Sequence, residues 1–110
     1  MVLLLNKWRE NNMAFVTIFH DDVAIAIVDA GKKTGSTALE HAYMSTQNID
    51  GSWSLEVTQG SMYRQDVKLL ICNDVEGGIE LGHRSTMTGD TMIMEGQRFE
   101  VAPYGYEVLA

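Results

Sequence analysis

The sequence predicts an α+β domain, predominantly an antiparallel β-sheet that forms a small barrel or sandwich, with one capped helix closing one side. Three observations support this class. Segments rich in β-branched and aromatic residues recur along the chain, one stretch carries the signature of a helix start, and the C-terminal part is typical of a hairpin. With 110 residues the chain has room for one core.

The first predicted strand pair lies on either side of a polar turn. The run from Ala14 to Phe19 is followed by His20-Asp21-Asp22 and then by the apolar run Val23 to Val28. The second run has an alternative interpretation as a helix that Asp22 caps and Gly31 ends, because its alanines are good helix formers. The pattern favours the strand.

One helix is predicted after the loop that follows these strands. Thr37-Ala38-Leu39-Glu40 matches a capping box, in which the hydroxyl and the carboxylate bond two backbone amides at a helix start. This motif predicts a helix from Ala38 to about Thr46. Its buried face would contain Leu39, Ala42 and Tyr43. Residues Asn48 to Ser52 would then end it.

Three strands are predicted in the middle of the chain. Trp53 to Thr58 alternates apolar and polar residues, whereas Val67 to Cys72 is apolar on both faces and is predicted to be more central. Glu76-Gly77-Gly78 would connect the latter to a short strand around Ile79 to Leu81. Cys72 is the single cysteine, so an intrachain disulfide is excluded, and its apolar surroundings predict a buried thiol.

The C-terminal hairpin has the most specific local signal. Gly96-Gln97 suits a two-residue type II′ turn, which would place Glu95 opposite Arg98 and Met94 opposite Phe99. The predicted apolar face consists of Met92, Met94, Phe99 and Val101. A corner at Pro103 and Gly105 would then lead to an edge strand from Tyr106 to Leu109.

The N-terminal segment is predicted to be separate from the domain core. Residues 1–12 form an apolar arm or short helix, and residues 13–110 form the single β-rich domain. Leu4, Leu5 and Trp8 share one face at helical spacing. This face would dock on its own domain or contact a neighbouring subunit. Met13 is a second plausible start.

Charge and hydropathy exclude several function classes. The formal net charge of −7 disfavours binding to nucleic acid and to anionic lipid surfaces. The apolar runs are too short to cross a bilayer, so no membrane association is expected. The N-terminal run lacks the features of a signal peptide, and the single thiol fits a cytoplasmic location.

Motifs that would identify a reaction are not found in the sequence. His20, His41 and His83 do not have metal-ligand spacing, and the carboxylates at Asp74, Glu76 and Glu80 do not match an EF-hand. Neither a nucleophile motif nor a phosphate-binding glycine loop is present. We therefore expect no catalytic residue, no metal and no cofactor. An enzyme or metal protein using His20 or His83 is the least favoured alternative.

Aromatic and acidic residues provide one candidate binding site. Four aromatic residues and a carboxylate would enclose a small cationic or amphiphilic ligand through cation–π contacts and charge attraction. They are Trp53, Tyr43, Tyr104, Tyr106 and Glu107, with Glu56 as a further carboxylate. An ordinary aromatic core is the alternative that the pattern favours.

Residues Gly89 to Val101 carry the only family resemblance. Their order of Gly-Asp, apolar strand, Gly and aromatic-x-Val resembles the C-terminal hairpin of tailed-phage head–tail joining and head-closure proteins. That resemblance implies a non-enzymatic protein that forms a ring through subunit contacts. Residues Met1 to Trp8 and the loop Asn73 to Gly78 would then be candidate hooks.

The leading functional expectation is a non-catalytic binding or assembly module. It would form a homo-oligomer, or bind other proteins, through strand edges or through the N-terminal arm with Leu4, Leu5 and Trp8. The alternatives are a phage joining-like structural protein and a small-ligand-binding domain with an aromatic and acidic pocket.

Overall fold

The structure is a computed structural model that describes residues 13–49, 51–55 and 64–109. Its strands are β1 (Phe15–His20), β2 (Val23–Asp29), β3 (Val67–Leu69), β4 (Asp74–Glu76), β5 (Ile79–Leu81), β6 (Thr91–Met94), β7 (Gln97–Val101) and β8 (Tyr106–Val108). One helix, α1 (Gly35–Ser45), follows β2, and a 3₁₀ turn (Arg64–Asp66) precedes β3.

Six strands form one antiparallel sheet in the order β3-β2-β1-β6-β7-β8, and among the described strands β4 pairs only with β5. For the part of the chain that the structure describes, the α+β class with a mainly antiparallel sheet and one helix is therefore confirmed. Within the described residues the sheet stays open, with β3 and β8 as its outer strands, and does not close into a barrel. In the same part of the chain no helix is long and apolar enough to cross a membrane.

The turn between β1 and β2 explains why the second apolar run is a strand. Asp21 and Asp22 both have positive φ, 50° and 66°, which is the backbone of a type I′ hairpin turn. This turn brings His20 opposite Val23 and starts the antiparallel ladder. The strand prediction is confirmed, and the helical alternative for this run is wrong.

The core lies on one face of the sheet, where α1 packs against β1 and β2. Alternate residues of β1 and β6 point into it, as expected for strands with one buried face. The inward residues of the sheet include Val16, Ile18, Ala26, Val28, Met92, Met94 and Val101. The helix buries Ala38, Leu39, Ala42 and Ser45, whereas Tyr43, which was also predicted on the buried face, is only partly buried against the core.

The helix starts one turn earlier than the capping box predicted. Its N-cap is Thr34, which makes no side-chain cap bond. The Thr34 carbonyl accepts from the amides of Thr37 and Ala38, at 3.2 and 3.4 Å. Thr37 therefore already lies within the first turn and is not the cap. The prediction of a Thr37 cap is wrong.

The central strand predicted from Val67 to Cys72 is also wrong. Only Val67–Leu69 is a strand, and it is an outer strand of the sheet. The Ile25 carbonyl accepts from the amides of both Leu70 and Ile71, at 2.8 and 3.4 Å, so the ladder ends there. Cys72 is consequently exposed and not buried in the core as predicted.

Trp53 does not belong to a strand, although the alternation predicted one. Its amide bonds the Asn48 side-chain oxygen at 3.1 Å, and its indole N–H donates to the Arg84 carbonyl at 2.9 Å. Loop contacts thus replace a strand ladder. Ser54 is buried, although the alternation of apolar and polar residues predicted that it would face solvent. The rest of this predicted strand lies outside the described residues.

The C-terminal hairpin has the predicted apolar face but a different turn. Glu95 and Gly96 occupy the turn, with φ of 52° and 78°, so it is type I′ and not type II′. Met94 pairs with Gln97, and Met92 pairs with Phe99. Moving the turn by one residue shifts each cross-strand partner by two, so the same side chains stay on the buried face. The following corner and outer strand β8 agree with the prediction.

Candidate functional site

Exposed apolar side chains are concentrated in and just before the β4–β5 hairpin. We name residues 70–81 the apolar hairpin. Val75 is 68% exposed and Ile79 is 66% exposed, and Leu70, Ile71 and Leu81 are also exposed. No helix or other strand of the described chain packs extensively on β4 or β5. An apolar surface of this kind is typical of an interaction site.

The register of the apolar hairpin sorts its side chains into two rows on one face. Glu76 pairs with Ile79 and Asp74 pairs with Leu81. Directly paired residues of an antiparallel ladder point to the same side. One face therefore carries an acidic row on β4 beside an apolar row on β5.

A polar network fixes the base of the apolar hairpin. The side-chain amide of Asn73 donates through Nδ2 to the Ser54 carbonyl at 2.9 Å and to Glu80 Oε1 at 2.8 Å. The Ser54 hydroxyl donates to Asn73 Oδ1 at 2.8 Å and accepts from the His83 amide at 2.7 Å. These bonds tie both strands of the hairpin to the segment that contains Ser54.

Close packing holds the same base from its other side. The His83 ring donates through Nε2 to the Ile71 carbonyl at 2.9 Å and stacks on the Trp53 ring at a centroid distance of 5.8 Å. A Cβ atom at Gly82 would collide with the Ser52 hydroxyl. The base of the hairpin is therefore tightly packed. We name its residues Ser54, Asn73, Gly82 and His83 the anchor.

A buried chain of hydrogen bonds links the end of β1 to α1. The Thr46 hydroxyl donates to the Ala42 carbonyl at 3.0 Å, so Thr86 donates to Thr46 at 2.7 Å. The remaining lone pair of Thr86 accepts from His20 Nε2 at 2.8 Å. Burial is the main cause that lowers the pKa of His20 to about 4, which leaves the imidazole neutral near pH 7.

Asp90 organises the segment between β5 and β6. Its carboxylate accepts two bonds from the Arg84 guanidinium, at 2.7 and 2.9 Å, and one from the Met87 amide at 2.8 Å. Burial raises the pKa of Asp90, but these donors outweigh burial and the pKa stays below its usual value. Asp90 therefore holds Arg84 and the Met87 amide together and acts as a structural clamp on this segment.

A groove of about 660 Å³ lies between α1 and strands β7 and β8. The Tyr106 hydroxyl donates to Glu40 Oε2 at 2.5 Å, and the Tyr43 ring meets the Tyr106 ring edge-on at 6.4 Å. Burial, together with the bond to Glu40, raises the pKa of Tyr106. Apolar lining comes from Leu39, Met44 and Phe99. We name this the helix groove.

The structure separates most of the aromatic residues predicted to form one pocket. Tyr43 and Tyr106 lie together, whereas Trp53 is buried beside His20 and His83. Tyr104 is 96% exposed. Glu107 is exposed on β8, opposite Glu100. Glu56 and the arm residues Leu4, Leu5 and Trp8 lie outside the described residues.

Sequence reasoning missed the anchor and the two-row face of the apolar hairpin. The alternation through Asp74-Val75-Glu76 and Ile79-Glu80-Leu81, with two glycines between, is a hairpin signal that would have found it. No group of three metal-ligating side chains occurs within ranges 13–49, 51–55 and 64–109.

No protein-family model, curated protein or solved structure matches this chain. Its function is therefore inferred from the geometry of the described residues.

Proposed function

We propose that this chain is a non-catalytic assembly module that associates with further copies of itself through the apolar hairpin. The observation that carries the proposal is the exposure of Ile79 and Leu81, which lie in one row on one face of a two-stranded hairpin. Burying these side chains at a contact would remove apolar surface from water, at about 25 cal/mol per Å².

The hairpin also lacks what a stable sheet needs. A two-stranded hairpin is at best marginally stable in water, and a third strand or a packed face stabilises it. Neither is provided by the described residues around β4 and β5. A partner that covers the Ile79 and Leu81 row would provide the packed face.

The anchor favours binding because it orders the hairpin in advance. Asn73, Ser54 and His83 hold its base through the bonds given above. Ordering before contact reduces the entropy lost on association. The resemblance of residues 89–101 to phage joining proteins stays a prediction, and the proposal does not depend on it.

We also propose a reducing compartment such as the cytoplasm. Cys72 is an exposed thiol next to the anchor of the hairpin. In an oxidising compartment an exposed thiol is open to intermolecular disulfide formation.

Sedimentation velocity of the wild-type chain and of Ile79→Gln tests the proposed function. Since Ile79 is exposed, the substitution should change folding stability by no more than about 0.5 kcal/mol. We expect the wild type to sediment as an oligomer and Ile79→Gln to shift toward the mass of one chain, 12.2 kDa. Met87→Gln is the matched control, because Met87 is similarly exposed outside the hairpin. A wild type that remains a monomer at every concentration, or equal loss in both variants, would overturn the proposal.

A further inference from the structure

We infer that the apolar hairpin of one copy docks in the helix groove of a second copy, beside Lys32 and Lys33. This inference rests on the proposed function and identifies the acceptor surface. The partner is a second copy of this chain. Its helix groove matches the apolar hairpin both in charge and in apolar surface.

The charge of the apolar hairpin selects against contact between two hairpins. Residues 69–82 contain three carboxylates and neither lysine nor arginine. Asp74 and Glu76 stand on the same face as Ile79 and Leu81. Facing two such surfaces together would bring like charges close, which is destabilising. The acceptor must therefore combine an apolar surface with positive charge.

The helix groove meets both requirements. Leu39, Met44 and Phe99 provide apolar lining, and Lys33 lies at its wall. Lys32 and Lys33 are both exposed and form the only adjacent basic pair of the sequence. The apolar row of the hairpin would contact the apolar lining, and the acidic row would lie near the two lysines.

The other charged groups of the helix groove already have partners. Glu40 accepts the hydrogen bond from Tyr106 at 2.5 Å. His41 lies 3.1 Å from Asp66, atom to atom between Nε2 and Oδ2. Among the described side chains, Lys32 and Lys33 therefore place two cations at this groove against the one carboxylate of Glu40, and this balance favours an incoming carboxylate.

A second groove, of about 550 Å³, lies on β1, β2 and β3 and is a poorer acceptor. Its walls contain Asp29 and Asp66 against a single cation, Lys68. An acidic hairpin would be repelled there. Of the other cations whose side chains the structure describes, Arg84 is bound by Asp90, and Arg98 lies over the Phe19 ring at 5.1 Å.

A single contact between the hairpin of one copy and the groove of another, without the reciprocal contact, is heterologous. After this first contact the pair would keep one free groove, on the copy that gave its hairpin, and one free hairpin, on the other copy, so further copies would add until a ring closes or an open filament grows. A two-fold contact between like surfaces would stop at a dimer.

Mixing two defective variants tests this arrangement. Lys32→Glu with Lys33→Glu removes the cations of the groove and keeps the hairpin, whereas Ile79→Gln alters the hairpin and keeps the groove. We expect each variant alone to lose the oligomer and a 1:1 mixture to form a species of two chains by native mass spectrometry. In that species the intact hairpin of the first variant occupies the intact groove of the second. Circular dichroism of each variant checks that it is folded.

The outcomes separate the acceptor from the proposed function. If the lysine variant keeps the oligomer while Ile79→Gln loses it, the helix groove is not the acceptor and the proposed function stands. The same holds if both variants lose the oligomer but the mixture remains single chains. If Ile79→Gln keeps the wild-type oligomer, the proposed function itself fails.

Discussion

Glu76 and Ile79 are directly paired across the β4–β5 hairpin, so a carboxylate and an exposed apolar side chain lie side by side on one face. The neighbouring pair, Asp74 and Leu81, repeats this arrangement. Such a face discriminates between partners. A purely apolar partner surface would cover the apolar row but would leave the acidic row without a positive partner. Both rows depend on the anchor that positions them.

The first prediction concerns this anchor. Asn73→Ala removes the bonds from Asn73 to Ser54 and Glu80 and leaves the six-stranded sheet untouched. We expect faster amide exchange in residues 70–81 and weaker self-association, with an unchanged denaturation midpoint for the sheet. Gln47→Ala is the matched comparison, since it removes an amide side chain that bonds the carbonyls of Tyr43 and Thr86 and leaves the anchor in place. Equal exchange in wild type and Asn73→Ala would show that the anchor does not order the hairpin.

The second prediction concerns acid stability and His20. The folded pKa of about 4 lies below the usual value of 6.5, so unfolding takes up a proton between these values. Stability that is present above pH 6.5 is therefore lost as the pH falls toward 4, by about 3 kcal/mol for a shift of this size. Burial is the largest cause, and Arg84 and His83 add to it, while Asp90 and Asp21 oppose it.

Urea denaturation at a series of pH values measures this loss. His20→Gln removes the titrating group, so the stability gap between wild type and variant should narrow as the pH falls from 6.5 to 4. Parallel pH profiles for the two proteins would contradict the assigned role of His20. Asp90 titrates below its usual pKa, and its contribution is lost at still lower pH.

The third prediction concerns the clamp between Arg84 and Asp90. Asp90→Ala leaves the Met87 amide and the Arg84 guanidinium without their acceptor. Because Arg84 remains 39% exposed and water can solvate it, we expect a loss of about 2–3 kcal/mol of unfolding free energy, below that of a fully buried pair. Asp21→Asn removes the charge of the other carboxylate near Arg84, which is 92% exposed, and tolerates the left-handed backbone of this turn, so it should lower stability by less than about 1 kcal/mol. Similar losses in the two variants would show that Asp90 is no clamp.

The fourth prediction concerns the turn of the C-terminal hairpin. Glu95 holds a left-handed backbone with φ of 52°, which opposes folding by about 1–2 kcal/mol for most residues other than glycine. Asn tolerates this conformation, and Asn-Gly is the preferred pair for a type I′ turn. We expect Glu95→Asn to raise the denaturation midpoint. The same change at the exposed residue Glu107, in strand β8, should not raise it. A lowered midpoint for Glu95→Asn would contradict the type I′ turn.

Local patterns predicted the parts of the fold that local chemistry determines. The polar pair Asp21-Asp22 is sufficient to predict the turn between β1 and β2. The alternation that includes Met92 and Met94 is sufficient to predict which face of β6 is buried. The turn at Glu95-Gly96 was missed because a glycine fits the first position of a type II′ turn as well as the second position of a type I′ turn.

Long-range contacts determine the parts that the sequence did not predict. Leu70, Ile71 and Cys72 are as apolar as core residues, yet they are exposed and lie beyond the end of the ladder, where the Ile25 carbonyl accepts from both Leu70 and Ile71. Trp53 is held by Asn48 and Arg84, two residues from separate segments. The alternation in β4 and β5 is sufficient for the two rows of the hairpin, whereas the anchor depends on long-range contacts between Asn73 and Ser54 that the sequence does not show.

The most direct test of self-association through the hairpin is amide hydrogen exchange of the wild-type chain at two concentrations, one at which it is a single chain and one at which it is assembled. Contact at the apolar hairpin predicts slower exchange in residues 70–81 at the higher concentration. Exchange in residues 70–81 that does not change with concentration, while another segment becomes protected, would contradict it.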